Sequence, residues 1–141
     1  MGISKGSAQW NGGLKDGMGS MKPAHAPEAP FSLGTRFEGQ QGTNPEELIG
    51  AALSGCFSMA LSLGLEKGGL KPTSIRTHAD VQLDKQGEGF AITTIALSCE
   101  ANVPGASDEQ FQKIAEETKK GCPVSKALAG VNITLKATLA R

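Results

Sequence analysis

Cysteine thiols are the side chains through which this sequence could do chemistry. Cys122 lies in the segment Gly-Cys-Pro-Val-Ser, where it is predicted to cap a helix whose first residue is Pro123. The N–H groups and dipole of a helix start lower the pKa of a thiol, which favours a reactive Cys122; a simple structural cap explains the pattern equally well. Cys99 alternates with Leu97 and Ala101 in a predicted strand, and we expect it to fill the core.

Cys56 lies in the middle of an apolar segment that is predicted to be a long helix. It is twelve residues beyond the predicted N-cap, Asn44, or about 18 Å at 1.5 Å per residue. The helix dipole fades within the first turn and does not activate a thiol at that distance. Taken alone, a cysteine among Ala, Leu, Phe and Met in such a helix is a small buried hydrophobic residue.

Arg36, Glu46 and the two histidines have ordinary explanations when each is taken alone. Arg36 in a predicted short strand is typical of a solvated surface charge, and Glu46 in a first helical turn complements the helix dipole. His25 and His78 have no neighbouring ligand at metal spacing, so we expect no zinc or haem site.

The helix that carries Cys56 has the clearest boundaries in the chain. Asn44 is its predicted N-cap, Pro45 its first residue and Glu47 the partner of Asn44 in a capping box. The helix is predicted to run to about Lys67 and to stop at the two glycines that follow. Small residues recur every four positions along it: Gly50, Ser54, Ser58 and Ser62. We expect this stripe to pack closely against a second helix, of this chain or of another subunit.

The remaining patterns predict an α+β fold in a single domain covering residues 1–141. The segment 23–30, with three prolines, is predicted to be a loop. Helices are predicted after Ser107 and after Cys122. A strand near 8–10, a turn at 11–13 and a second short strand are predicted at the start of the chain. Further strands are predicted over 31–38, 75–84, 90–103 and 131–139.

Composition and charge exclude several classes of function. The 14 basic side chains balance the 14 acidic ones, which argues against a polybasic surface for nucleic acid or membrane. One Trp, five Phe and no Tyr are few for a platform that stacks single-stranded nucleic acid. Three cysteines are too few, and odd in number, for a disulfide scaffold.

The apolar segment 48–65 is uncharged over 18 residues, close to the length that spans a bilayer. Its three glycines and three serines favour a buried helix of a soluble protein over a membrane span. The first residues lack the apolar core of a secretory signal. We therefore expect a cytoplasmic, reducing compartment in which cysteines stay thiols unless chemistry oxidises them.

Four separated motifs together resemble the osmotically inducible protein C (OsmC) family, which is related to the organic hydroperoxide resistance proteins. They are Thr-Arg-Phe-Glu-Gly at 35–39, Thr-Asn-Pro-Glu-Glu-Leu-Ile-Gly-Ala-Ala at 43–52, Cys-Phe-Ser-Met-Ala-Leu at 56–61 and Gly-Cys-Pro-Val-Ser at 121–125. The resemblance extends from Trp10 to the last strand and is weakest across 23–30. Because Arg36 precedes the helix start by only a few residues, the chain is more similar to the OsmC branch than to its sister branch.

The resemblance implies a fold and an activity. The fold is an intertwined α+β homodimer with antiparallel sheets around a long central helix and with sites at the subunit interface. The activity is that of a thiol peroxidase, which reduces organic hydroperoxides and hydrogen peroxide in oxidative and osmotic stress defence without metal, haem or flavin cofactor. By position, Cys56 matches the peroxidatic cysteine, Cys122 the resolving cysteine, and Arg36 and Glu46 the activating pair.

The chemistry of such a site can be stated in physical terms. A thiol of pKa about 8.5 is only about 3% thiolate at pH 7, so Cys56 needs a cation; Arg36 is the candidate, with Glu46 holding its guanidinium in a bidentate ion pair. Attack on the peroxide gives a sulfenic acid at Cys56, Cys122 condenses with it to a disulfide, and an external dithiol restores both thiols. Lipoylated proteins serve as that dithiol in part of the family. The apolar residues Phe37, Phe57 and Met59 would suit an alkyl hydroperoxide.

Three alternatives remain open on the sequence. Cys122 would be the attacking thiol if its predicted helix-cap position decided reactivity. A non-catalytic dimeric module that binds an apolar ligand would merely bury both cysteines. A disulfide oxidoreductase acting on proteins is disfavoured because the sequence contains no Cys-x-x-Cys motif.

Overall fold

The first part of the chain forms a small antiparallel sheet followed by a short helix. The computed structural model describes residues 2–140, and these divide into two compact units, one up to Leu48 and one from Ile49 onward. In the first unit, β2 pairs with both neighbouring strands, and α1 follows. The elements are β1 (Gly6–Asn11), β2 (Met18–Pro23), β3 (Ala29–Phe31) and α1 (Leu33–Phe37). The predicted strand near 8–10 is confirmed as part of β1, the strand predicted soon after the turn at 11–13 is β2 and starts later, at Met18, and the predicted loop over 23–30 ends in β3.

The prediction of a strand over 31–38 is wrong beyond Phe31, because Leu33–Phe37 is a helix. Ser32 and Thr35 form a capping box in which the Thr35 N–H donates to Ser32 Oγ at 3.3 Å and the Ser32 N–H donates to Thr35 Oγ1 at 2.9 Å. These two bonds satisfy N–H groups that an α-helix leaves unpaired at its start. They turn the chain into a helix and place Arg36 in its last turn.

The long helix α2 (Pro45–Lys67) has the predicted boundaries. The Glu47 N–H donates to Asn44 Oδ1 at 2.8 Å, as expected of an N-cap. The Glu47 carboxylate accepts a hydrogen bond from Thr43 Oγ1 at 2.9 Å. Beyond the helix, Gly69 adopts φ +79°, the left-handed conformation that ends helices and favours glycine.

Only one stripe of α2 is buried within the chain. Its members recur every four residues and are fully buried: Leu53, Phe57, Leu61 and Leu65. On another face Met59 is 78% exposed and Leu63 53% exposed. The predicted burial is therefore right for the core stripe and wrong for that face. Among residues 2–140, α2 is the helix that is long and apolar enough to cross a membrane, a test that core helices of soluble proteins also pass.

Two members of the small-residue stripe of α2, Gly50 and Ser58, approach a strand of this chain. A Cβ at Gly50 would lie 3.2 Å from Val81 Cγ2, so only glycine fits there without a shift of that side chain. Further along, Ser58 Oγ and Thr77 Oγ1 share a hydrogen bond at 2.6 Å. Val81 and Thr77 belong to the strand β4 (Ser74–Gln86). The stripe thus lets α2 lie close to the backbone of β4.

The second unit combines a mixed sheet with two further helices. Its other elements are β5 (Gly89–Asn102), α3 (Asp108–Gly121), α4 (Pro123–Ala127) and β6 (Asn132–Leu139). The sheet order is β4-β5-β6, with β4 antiparallel and β6 parallel to β5. The expectation of purely antiparallel sheets fails at this last pair, because α3 and α4 form a crossover that returns the chain in the same direction. The α+β class itself is confirmed.

The core of this unit lies between the helices and the inner face of the sheet. Besides the α2 stripe, it contains Ile95, Leu97, Cys99 and Ala101 of β5 together with Phe111 and Ala115 of α3. Cys56 and Val124 pack against its edge. This core therefore fixes the two elements that carry Cys56 and Cys122.

Candidate active site

Arg36 and Glu46 form a bidentate ion pair within the first unit. Arg36 Nε donates to Glu46 Oε1 and Arg36 Nη2 to Glu46 Oε2, each at 2.8 Å. Glu46 is only 7% exposed, and its hydrogen bonds raise the pKa of Arg36 above its ordinary value, against the lowering effect of burial. The guanidinium also lies over the ring of Phe37, 5.3 Å from its centroid. The expected ion pair is present, and its planar geometry holds the guanidinium in one orientation.

An apolar pocket of about 180 Å³ lies beside this guanidinium. Its lining combines aromatic and aliphatic side chains with one cation and one hydroxyl: Trp10, Leu14, Phe31, Ser32, Leu33, Arg36 and Phe37. Trp10 and Phe31 contact each other with ring centroids 5.4 Å apart. Phe37 is thus beside the pocket as anticipated, whereas Phe57 is fully buried in the core of the second unit.

Cys56 and Cys122 are in contact within the second unit. They are 66 residues apart in the sequence, yet each thiol lies near enough to affect the pKa of the other, and both are free. Cys56 is half-buried on α2, and Cys122, only 1% exposed, lies at the junction of α3 and α4. The two thiols are thus neighbours in the fold despite their separation in the sequence.

The sulfur of Cys122 has several hydrogen-bond partners, two of them groups of Ser125. The Ser125 N–H donates to Cys122 Sγ at 3.4 Å, and Ser125 Oγ lies 3.2 Å from the same sulfur. Burial acts to raise the pKa of Cys122, but the bonds from Ser125, together with those from Cys56 and the Val124 N–H, outweigh it and lower that pKa. The predicted N-cap position and its effect on the thiol are thus present in the structure.

Cys56 has the opposite shift. Burial raises its pKa, the Val124 N–H acts against this, and the neighbouring Cys122 raises the pKa further. The groups that act on it within its unit are a backbone N–H and a thiol, and neither is a cation. Of the two sulfurs, Cys122 is therefore the one on which hydrogen bonds favour a negative charge.

Cys99 and His78 have structural partners. Cys99 is 3% exposed in the core; burial raises its pKa, and a hydrogen bond with Thr77 opposes this. His78 pairs with Asp80 at 2.8 Å on an exposed strand face. Over residues 2–140, no three His, Cys, Asp or Glu side chains are grouped as they would be around a metal ion.

Ser125 has no role in the sequence-based prediction. The Cys-Pro-Val-Ser motif does indicate a contact between Ser125 and Cys122. A residue three positions after an N-cap places its N–H and side chain beside the capping side chain. A cysteine at the cap makes that neighbour an electrostatic partner of the thiol.

Comparison with known proteins supports the same class of molecule. The chain is 53% identical over 126 residues to "Peroxiredoxin OsmC" of Escherichia coli, covering 88% of each chain. It is 31% identical over 103 residues to "Organic hydroperoxide resistance protein OhrB" of Bacillus subtilis, covering 72% of this chain and 73% of that protein. The crystal structure of an OsmC-like protein from Mycoplasma pneumoniae matches the fold over 99% of both chains, with a TM-score of 0.78 at 14% identity.

The fold and the thiol pair, with these relatives, define a thiol-based redox enzyme of the peroxidase class. The family model for OsmC-like proteins matches residues 38–136. This chain belongs to the OsmC family.

The burial of the three thiols predicts a difference in alkylation. In the native protein at pH 8, iodoacetamide should modify Cys56 at least about tenfold faster than Cys99, because Cys99 is both inaccessible and poorly ionised. Mass spectrometry of tryptic peptides over a time course measures both rates. In denaturant the two rates should converge; equal rates in the native protein would contradict the described burial.

Proposed function

We propose that the chain is a thiol-dependent peroxidase that reduces organic hydroperoxides and hydrogen peroxide, with Cys56 as the peroxidatic and Cys122 as the resolving cysteine. The observation that carries the proposal is the contact between these two free thiols in a chain of the OsmC family. We propose further that all 141 residues form a single OsmC-like domain, active in the cytoplasm in defence against oxidative and osmotic stress.

The first step is attack of the Cys56 thiolate on the O–O bond. The sulfur takes the terminal hydroxyl oxygen and becomes a sulfenic acid, while the O–O electron pair leaves with the other oxygen as an alkoxide. A proton converts the alkoxide into an alcohol, or into water when the substrate is hydrogen peroxide. This step needs an ionised Cys56 and a cation near the departing oxygen.

Arg36 is the proposed source of that positive charge. The surroundings of Cys56 in its own unit raise the thiol pKa, so activation requires an additional cation. Arg36 is held by Glu46 in a fixed bidentate geometry, with about a third of its side chain exposed and available to a reacting group. In the proposed site, the guanidinium stabilises the Cys56 thiolate and then the alkoxide, and Glu46 orients it.

Cys122 resolves the sulfenic acid. Its thiolate attacks the Cys56 sulfur, the S–O bond breaks, and hydroxide leaves as the Cys56–Cys122 disulfide forms. An external dithiol, for which a lipoylated protein is a candidate, then reduces the disulfide. No metal, haem or flavin takes part in this cycle.

The working form is proposed to be a homodimer with the active sites at its interface. The exposed apolar side chains of α2, Met59 and Leu63, support a covered face of this kind, since large exposed apolar surfaces mark interaction sites. The pocket beside Arg36 supports a preference for an alkyl or aryl hydroperoxide, whose apolar group its aromatic walls would accept.

Turnover of hydroperoxide separates this proposal from a non-catalytic ligand-binding module. With dithiothreitol as reductant, the purified protein should consume cumene hydroperoxide, and Cys56→Ser should lower kcat/KM by about 100-fold or more. Cys99→Ser is the matched control and should retain turnover. A folded wild-type protein with free thiols and no turnover would favour the binding module.

The role of Arg36 predicts a pH-dependent defect. Loss of a cation beside a thiolate moves its pKa up by about one unit or more, so Arg36→Met should slow peroxide reduction at pH 7 about tenfold or more and shift the rate profile to higher pH. Stopped-flow measurement of the oxidation step between pH 6 and 10 tests this. Arg76→Met, which removes an exposed arginine of β4, is the control. An unchanged profile in Arg36→Met would exclude Arg36 from the activation of Cys56.

A further inference from the structure

Ser125 contacts one sulfur of the thiol pair, Cys122 Sγ, through two of its polar groups. The two sulfurs therefore differ in their hydrogen bonds. Its N–H and its hydroxyl both contact Cys122 Sγ, at 3.4 and 3.2 Å, and Ser125 is itself buried. When Cys122 is a thiolate, the Ser125 hydroxyl can only donate to it, so the sulfur receives two hydrogen bonds from one residue. Hydrogen bonds to a charged acceptor are among the stronger ones in proteins.

We propose that Ser125 makes Cys122 the leaving thiol when the disulfide is reduced, so that the reductant attacks Cys56 and the mixed disulfide forms there. The inference rests on the proposed Cys56–Cys122 disulfide and goes beyond it by assigning the direction of its reduction. The reduced structure, with Ser125 already bonded to Cys122 Sγ, is the product arrangement of that step.

A dithiol reduces the disulfide in two successive thiol–disulfide exchanges. One thiolate of the dithiol attacks Cys56 Sγ, an S–S bond forms between them, and the Cys56–Cys122 bond breaks with its electron pair on Cys122 Sγ. The second thiol of the reductant then attacks its own sulfur in the mixed disulfide. This step releases Cys56 as a thiolate and the reductant as a cyclic disulfide; protons from solvent neutralise the thiolates as their pKa values require.

Two independent features support attack at Cys56. The rate of thiol–disulfide exchange rises as the pKa of the leaving thiol falls, and hydrogen bonds lower that pKa for Cys122 whereas burial raises it for Cys56. Accessibility favours the same direction, because Cys56 is half-buried and Cys122 is 1% exposed. A groove of about 300 Å³ between α2 and α3 does reach the Cys122 residue, so attack at Cys122 is the competing route.

The first test locates the mixed disulfide in the wild-type protein. The disulfide is formed with one equivalent of cumene hydroperoxide, treated with the monothiol 2-mercaptoethanol, trapped with N-ethylmaleimide and digested. Mass spectrometry should find the mercaptoethanol adduct on Cys56 and the maleimide on Cys122. The reverse assignment would overturn the proposal.

The second test measures the effect of the Ser125 hydroxyl on each half of the cycle. Ser125→Ala should slow reduction of the disulfide by dithiothreitol about fivefold, since it removes one of the bonds to the leaving thiolate. It should change oxidation of Cys56 by hydroperoxide much less, because Ser125 is not among the groups that shift the pKa of Cys56. Thr118→Val removes another buried hydroxyl, one that donates to the Ile114 carbonyl, and should change neither rate. Equal reduction rates in Ser125→Ala and wild type would overturn the assignment of Ser125.

These outcomes are distinguishable from failure of the proposed function. If hydroperoxide did not oxidise the thiols, the peroxidase proposal would fail, but diamide could still form the disulfide and both reduction experiments would apply. If hydroperoxide oxidised Cys56 normally and the adduct lay on Cys122, only the inference about Ser125 would fail. Ser125→Thr keeps a hydroxyl and should reduce faster than Ser125→Ala.

Discussion

The contact between Cys56 and Cys122 is the interaction on which the proposed chemistry depends. Cys56 lies half-buried in the middle of α2, and burial raises the pKa of its thiol. By itself, Cys56 is therefore a poor nucleophile. Its neighbour has the opposite tendency because hydrogen bonds outweigh its burial. The pair therefore needs an external cation to place negative charge on Cys56, and it carries its own stabilisation for negative charge on Cys122. This asymmetry suits a cycle in which one sulfur attacks and the other resolves.

The position of Cys122 depends on a junction between two helices. Cys122 has extended backbone angles, φ −68° and ψ 141°, and serves as the C-cap of α3 and the N-cap of α4. Its N–H donates to the Thr118 carbonyl at 3.0 Å, and its carbonyl accepts from the Lys126 N–H at 3.0 Å, so the backbone is fixed on both sides. Pro123 starts α4 without leaving an N–H unpaired. The sulfur is thereby held against α2, where the core stripe of that helix fixes Cys56 in turn.

Elements with strong caps could be predicted from neighbouring residues. Features that depend on contacts between residues distant in the sequence could not. The boundaries of α2 followed from Asn44, Pro45 and the glycines after Lys67, because capping is a property of neighbouring residues. The five-residue helix α1 was mistaken for a strand, since its capping box is too short a signal to compete with weak alternation.

The parallel pairing of β6 could not be predicted, because alternation gives the faces of a strand and not its direction. The approach of Gly50 and Ser58 to β4 is likewise a matter of tertiary packing. In the site, the cap position of Cys122 was predictable, whereas its contact with Cys56 across 66 residues rested on family resemblance.

The most direct measurement of the central claim is the mapping of the disulfide formed by the substrate itself. The reduced protein is treated with one equivalent of cumene hydroperoxide, alkylated, digested without reduction and analysed by mass spectrometry. We expect a single intramolecular link between the peptides of Cys56 and Cys122, with Cys99 recovered as an alkylated thiol. A link through Cys99, or recovery of all three cysteines as alkylated thiols, would contradict it.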